Sequence, residues 1–182
     1  MNLYDLMKNR RSNRHFFSKK IPEDSLKRIL EAGQYAPSGA DKHPYAYIII
    51  EDQVIKEDIK MHCEIIDKKF YNNSETRFKE WMKKRRISPE KDFLVDAPIL
   101  IIVAGEIDKP YWLESTWISI TYVILAAEFE GLGTLTYTPS ETGFLKEILV
   151  LPEKIEPVVI IPIGYIKKRI FKKENKTHLT NL

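Results

Sequence analysis

The chain has 182 residues, of which 43% are hydrophobic and 30% charged, the proportions of a globular domain and not of a disordered or membrane-embedded chain. A formal net charge of +3 admits anionic ligands but is too small to demand nucleic acid, and a single cysteine, Cys63, excludes an internal disulfide and suits a reducing compartment. No basic stretch followed by an apolar run opens the chain and no apolar run is long enough to span a membrane, so the expectation is one soluble, cytoplasmic domain over residues 1–182.

Leu3, Leu6 and Met7 give an apolar side to a short opening helix that delivers Asn9-Arg10-Arg11-Ser12-Asn13-Arg14. Guanidinium forks match phosphate oxygens two at a time and a serine hydroxyl adds a further hydrogen bond. This cluster therefore reads either as a phosphate cradle or as a solvated basic turn. Pro22 starts a second helix with Glu23 and Asp24 in its first turn and Leu26, Ile29, Leu30 and Gly33 along one stripe, ending before Pro37. The run from Pro37 to Pro44 is a loop by composition, and Tyr45 to Ile50 reads as the first strand. From Val54 to Arg86 the pattern is helical and highly charged, and the Asn72-Asn73-Ser74 break makes it two helices or a hinge.

Pro98 to Ala104 is continuously apolar, as in a strand buried on both faces. A long apolar helix is expected from Tyr111 to Glu130, closed by Gly131-Leu132-Gly133. Leu135 to Thr138 reads as a short strand, Glu141 to Leu149 as a helix, and Pro157 to Ile163 as another buried strand before a basic tail over 165–182. Helices and strands mix without a linker or an internal repeat, which defines one α+β domain.

Several motifs are set aside. Gly131-Leu132-Gly133 follows a helix and precedes a strand, the reverse of a dinucleotide-binding turn. Met61-His62-Cys63 has no partner pair at zinc spacing, and His15, His43 and His178 are scattered, so no metal site is expected. Ser119 lies in a helical run without a nucleophile elbow. Lys83-Lys84-Arg85-Arg86 has no interleaved aromatic platform and reads as a solvated helix end rather than a nucleic-acid grip.

The ordered set Arg10-Arg11-Ser12-Asn13-Arg14, Pro37-Ser38-Gly39-Ala40 with Pro44, Ala97-Pro98, Gly131-Leu132-Gly133-Thr134 and Gly164-Tyr165 resembles the FMN-dependent nitroreductase superfamily almost from end to end. The Pro-Ser loop, the stretch from Phe93 to Ile101 and Thr136-Tyr137-Thr138-Pro139 are most similar to its iodotyrosine deiodinase branch. The resemblance implies a central, mostly antiparallel mixed sheet flanked by helices, in an intertwined homodimer with FMN at the interface. It implies that Arg10, Arg11, Ser12 and Arg14 hold the phosphate and ribityl chain, with Arg14 also stabilising negative charge on reduced flavin. Ser38 and Gly39 would come from the partner subunit, the glycine permitting close approach to the flavin ring. Thr136, Tyr137 and Thr138 would line the flavin, Thr138 offering a hydrogen bond to N5. Lys173 and Lys176 would stand in for a C-terminal family arginine, exchanging a fork for a point charge.

The implied activity is ping-pong reduction of an electron-poor small aromatic molecule, a nitroarene or quinone, with NAD(P)H or a protein as electron donor. A deiodinase-like reading makes the acceptor a halotyrosine. There Asp67, Tyr71 and Lys91, from a lid over about 59–91, would match a glutamate, tyrosine and lysine that close over the zwitterion, and the Ala40 N–H would meet the phenolate oxygen. Asp67 and Tyr71 at i, i+4 share one helix face, an anion and a hydroxyl for an ammonium group. A reading from another class keeps the same fold as a flavin carrier or store without turnover. The Pro-Ser loop departs from many nitroreductases at Asp41, His43 and Tyr45, and Ile166 stands where proline is usual.

Overall fold

The computed structural model describes residues 2–84 and 88–167. Among these residues four strands, β1 (Tyr45–Ile50), β2 (Ile99–Glu106), β3 (Gly133–Thr134) and β4 (Ile155–Gly164), form one sheet in the order β1-β2-β4-β3, with every neighbouring pair antiparallel. The one parallel link among the described residues is a lone bridge between Ser12 and Thr134. Among the described residues seven helices accompany them: α1 (Leu3–Asn9), α2 (Glu23–Gln34), α3 (Gln53–Asn73), α4 (Thr76–Lys84), α5 (Phe93–Asp96), α6 (Trp112–Phe129) and α7 (Gly143–Ile148). The α+β expectation holds.

Successive side chains on a strand point to opposite faces, so the unbroken apolar run of β2 feeds two cores at once. Leu100 and Ile102 pack with Ile59, Cys63, Leu94, Leu145 and Ile160 beneath α3, α5 and α7. Ile99, Ile101 and Val103 pack with Ile29, Ile120, Val123 and Val159 beneath α2 and α6. Each fully buried aliphatic side chain contributes about 1.5–3 kcal/mol, which is why β2 sits at the centre and not at an edge.

Leu135 to Thr138 does not form a continuous strand. Leu135 donates its amide to Pro162 O (3.3 Å), but Pro162 has no N–H to return, and the ladder resumes only where Tyr137 and Ile160 exchange both bonds at 2.9 Å. β3 is thereby confined to Gly133–Thr134. Pro157 marks a second irregularity, a shift of register opposite Val103 and Ala104. The short helix α5 and a 3₁₀ turn over Gly39–Asp41 carry no periodic signal and were not expected. The break at 72–74 yields two helices, α3 ending on Asn73 and α4 beginning at Thr76.

Lys56, Ile59, Cys63 and Asp67 form the buried stripe of α3, each about one turn from the next. Residues 59–67, assigned to the lid above, therefore have their inner face in the core. From that segment Asp67, Tyr71, Ser88, Glu90 and Lys91 line the cavity described below.

Candidate active site

The arginine cluster is stitched to the sheet edge. Ser12 bridges Thr134, the Asn13 amide donates to Thr134 O at 2.9 Å, Phe17 donates to Tyr165 O at 2.8 Å, and Lys167 donates to His15 O at 3.0 Å. The buried Asn13 also turns its side-chain amide onto Arg11 O at 2.9 Å, bracing the backbone between the arginines. A Cβ on Gly133 would collide with Ile166 and come within 2.8 Å of Asn13 Nδ2, so only glycine lets this segment lie so close to the sheet. Asn13 had no assigned role in the sequence, because its value depends on Thr134, 121 positions away.

Arg10 closes α1 with its amide on Leu6 O. Arg11 sends Nη1 to Lys8 O at 2.8 Å and to Arg10 O, while its Nε is buried without a hydrogen-bond partner. A buried guanidinium N–H left unmatched among so many donors suits an anionic oxygen supplied from outside the chain. Arg11 Nε thus suits a phosphate oxygen, and Arg10, Ser12 and Arg14 lie on the same segment. Lys173 and Lys176 lie outside the described residues.

Beside this segment opens a cavity of about 370 Å³. Arg14 and His15 form one wall, Asp67 and Tyr71 of α3 a second, and Leu135, Thr136 and Tyr137 a third. Lys91 closes it from the return chain before α5. Its ammonium is saturated: Nζ pairs with Asp67 Oδ2 at 2.8 Å and donates to Ser88 O at 2.7 Å and Pro89 O at 3.0 Å. The Lys91 side chain is only 5% exposed and that of Asp67 10%, so the pair is shielded from bulk water. The return chain is braced further by Glu64, which accepts the Lys91 amide at 2.9 Å, and by Lys60, which pairs with Asp92 at 2.6 Å.

Tyr71 donates its hydroxyl to Ser88 O at 3.3 Å. Burial and the neighbouring Asp67 charge push its pKa up against the opposing charge of Arg14, so the hydroxyl stays protonated and able to donate. Thr136 and Thr138 are exposed, whereas Tyr137 between them turns inward. The Tyr137 hydroxyl donates to Asp67 Oδ2 at 3.0 Å, and its ring meets Phe93 edge-on at 5.4 Å. The structure thus brings together Arg14, Asp67, Tyr71, Lys91, Thr136 and Tyr137.

Ser38, Gly39 and Ala40 are elsewhere. Their loop leads into Tyr45, which pairs with Gly105, while Thr134 and Ile163 lie at the Ile99 end of the same strand. Six residues of β2 separate the two ends, about 20 Å at the rise of an extended strand. The loop is stiffly held in an uncommon shape, with Ala40, Asp41 and His43 all at positive φ (51°, 53° and 44°). Ser38 Oγ accepts the His43 amide at 2.9 Å, Ser115 Oγ accepts the Gly39 amide at 3.0 Å, and the His43 ring is gripped by Asp41 and Tyr45 at 2.8 Å each. A Cβ on Gly39 would lie 2.6 Å from the Tyr111 ring, so within the chain the close approach that demands glycine is to Tyr111.

The model of the Nitroreductase family matches residues 7–165. An iodotyrosine deiodinase of Thermotoga neapolitana is 38% identical over 163 residues, 90% of this chain and 88% of the relative. One from Haliscomenobacter hydrossis is 33% identical over 177 residues, 89% of this chain and 78% of that protein. The crystal structure of an oxidized iodotyrosine deiodinase bound to FMN and 3-iodo-L-tyrosine superposes with a TM-score of 0.94 at 35% identity, covering 99% of this chain and 98% of that one.

Proposed function

The chain belongs to the nitroreductase family and is an FMN-dependent oxidoreductase, and from that premise we propose that it removes the halogen from halogenated tyrosines by reduction. The observation that carries this reading is the meeting of Asp67, Tyr71 and Lys91 in one cavity beside Arg14. An anion, a hydroxyl and a cation in that arrangement complement an amino-acid zwitterion. The Asp67–Lys91 pair opens by exchange: the ligand ammonium replaces Lys91 on Asp67, and the ligand carboxylate replaces Asp67 on Lys91. Both buried charges remain paired throughout. An amine or an acid alone would strand one of them, which costs about 3–5 kcal/mol in a buried pair. The site therefore favours zwitterions over singly charged analogues.

Bound FMN supplies two electrons, and with one proton they convert the carbon–halogen bond into a carbon–hydrogen bond and a halide ion. Arg10, Arg11, Ser12 and Arg14 would hold the phosphate and ribityl chain. Arg14 lines the cavity, where it would serve both cofactor and substrate. Thr136 and Thr138 are exposed, Thr136 in the cavity lining, and their hydroxyls would be available to the flavin, that of Thr138 to N5.

Ser38, Gly39 and Ala40 reach the site from a second copy of the chain, since within one chain their loop and Arg14's segment lie at opposite ends of β2. The apolar side chains that α6 and α1 leave exposed, among them Leu113, Trp117, Tyr122, Tyr4 and Met7, supply the surface for that homodimer. Ala40 then directs its N–H at the phenolate oxygen. NAD(P)H or a protein donor provides the electrons.

A second reading rests on the saturation of Lys91. If its three bonds do not open, the cavity takes flat uncharged acceptors, and the protein reduces nitroarenes or quinones instead. The two readings separate in one experiment. The FMN-loaded protein is reduced anaerobically, iodotyrosine or bromotyrosine is added, and flavin reoxidation and halide release are followed. Prompt release supports dehalogenation; reoxidation by a nitroarene or quinone but not by halotyrosine overturns it.

A further inference from the structure

Tyr137 is held at its backbone, its ring and its hydroxyl. Its backbone N–H and C=O are both bonded to Ile160 at 2.9 Å, and Phe93 packs edge-on against its ring. The hydroxyl is aimed at Asp67 Oδ2, the same oxygen that Lys91 holds. Asp67 lies on the buried face of α3, and Lys91 and Tyr137 share its Oδ2. When Lys91 turns to a ligand carboxylate, Tyr137 is the partner that stays. Burial and the adjacent Cys63 and Asp67 raise the phenol far out of the working pH range, so it is always a donor.

Resting on the dehalogenase reading, we propose that Tyr137 is the positioning residue for ammonium recognition, its hydroxyl holding the Asp67 carboxylate aimed at the ligand while the Asp67–Lys91 pair is open. This assigns the side chain of Tyr137 to substrate selection and not to the flavin. A hydrogen bond to a charged group governs affinity by roughly tenfold to a hundredfold. Its loss is felt only by ligands that carry the ammonium group.

The test uses FMN-loaded wild type and Tyr137→Phe, with halotyrosine and the matching halophenol titrated against flavin fluorescence. The expected result is a fall of about 10- to 100-fold in halotyrosine affinity, with halophenol affinity unchanged within about twofold. Equal losses for both ligands, or full discrimination retained by Tyr137→Phe, overturn the assignment. So does loss of FMN from the variant, which would place the hydroxyl in cofactor binding. If the wild type itself binds halotyrosine no better than halophenol, the amino-acid reading fails and the role of Tyr137 with it. A wild type that discriminates beside a variant that discriminates equally sinks the Tyr137 role alone.

Discussion

Replacing Lys91 by methionine keeps the aliphatic stem and about the same volume, so it opens no cavity and isolates the charge. The wild-type ammonium makes three bonds at 2.7–3.0 Å in a side chain 5% exposed. At an effective dielectric constant of about 20, two unit charges 2.8 Å apart attract with roughly 6 kcal/mol, which desolvation of both offsets in large part. What remains after Lys91→Met is a shielded carboxylate with Tyr137 as its surviving donor, together with two carbonyls short of a partner. The expected loss is about 3 kcal/mol, the low end for a broken buried pair because Tyr137 and cavity water still serve Asp67. Asp67→Asn/Lys91→Met removes both charges and is expected to lose no more than Lys91→Met alone, giving a coupling energy of about 2–3 kcal/mol. Urea unfolding followed by circular dichroism, at one protein and one FMN concentration, reads this as a midpoint shift of about 1–2 M for Lys91→Met. A loss below about 0.5 kcal/mol, or strictly additive single variants, would refute the buried-pair reasoning.

Arg14→Ala should weaken FMN binding about tenfold to a hundredfold, through loss of a charged hydrogen bond to the cofactor, and titration of apo-protein with FMN checks it. Gly133→Ala should destabilise the fold by about 1–3 kcal/mol and lower FMN affinity as well, because the added methyl pushes Asn13 and Ile166 off the sheet; thermal melts with and without FMN separate the two effects. Burial pushes the Cys63 thiol up to about 12, so it should resist aromatic disulfide reagents at pH 8 in the folded protein and react fully in guanidinium; rapid native labelling would contradict its placement under Tyr137. Arg28 holds the Glu130 carboxyl down at about 2 from an ordinary value of 4.5. That contribution is present above pH 4.5 and fades as pH falls toward 2, so Glu130→Gln should narrow its stability deficit over that window; a deficit constant with pH would count against the pair.

Residues with a local physical signature were legible in the sequence. Tyr45 to Ile50 forms the strand at those bounds because its apolar run is closed by Pro44 and Glu51, and α6 differs from expectation by one residue at each end. The Asn72-Asn73-Ser74 break and the i, i+4 placement of Asp67 and Tyr71 on one cavity wall follow from helical spacing alone. The strand expected over Leu135 to Thr138 failed for a non-local reason: Pro162, on the neighbouring strand, has no N–H to complete the ladder.

The site divides along the same line. The sequence by itself determined which groups are available: guanidinium forks at Arg10, Arg11 and Arg14, hydroxyls at Ser12 and Thr138, and opposite charges at Asp67 and Lys91. Only the tertiary structure decided which of them are occupied. It spent all three protons of Lys91, turned Tyr137 away from its threonine neighbours onto Asp67, and left Arg11 Nε without a partner. It also set the Pro-Ser loop and the arginine segment at opposite ends of β2. The cause is the range of the forces involved. Backbone propensity and periodic burial act over a few neighbouring residues, whereas a hydrogen bond between Tyr137 and Asp67 spans 70 positions and exists only once the sheet has closed beneath α3.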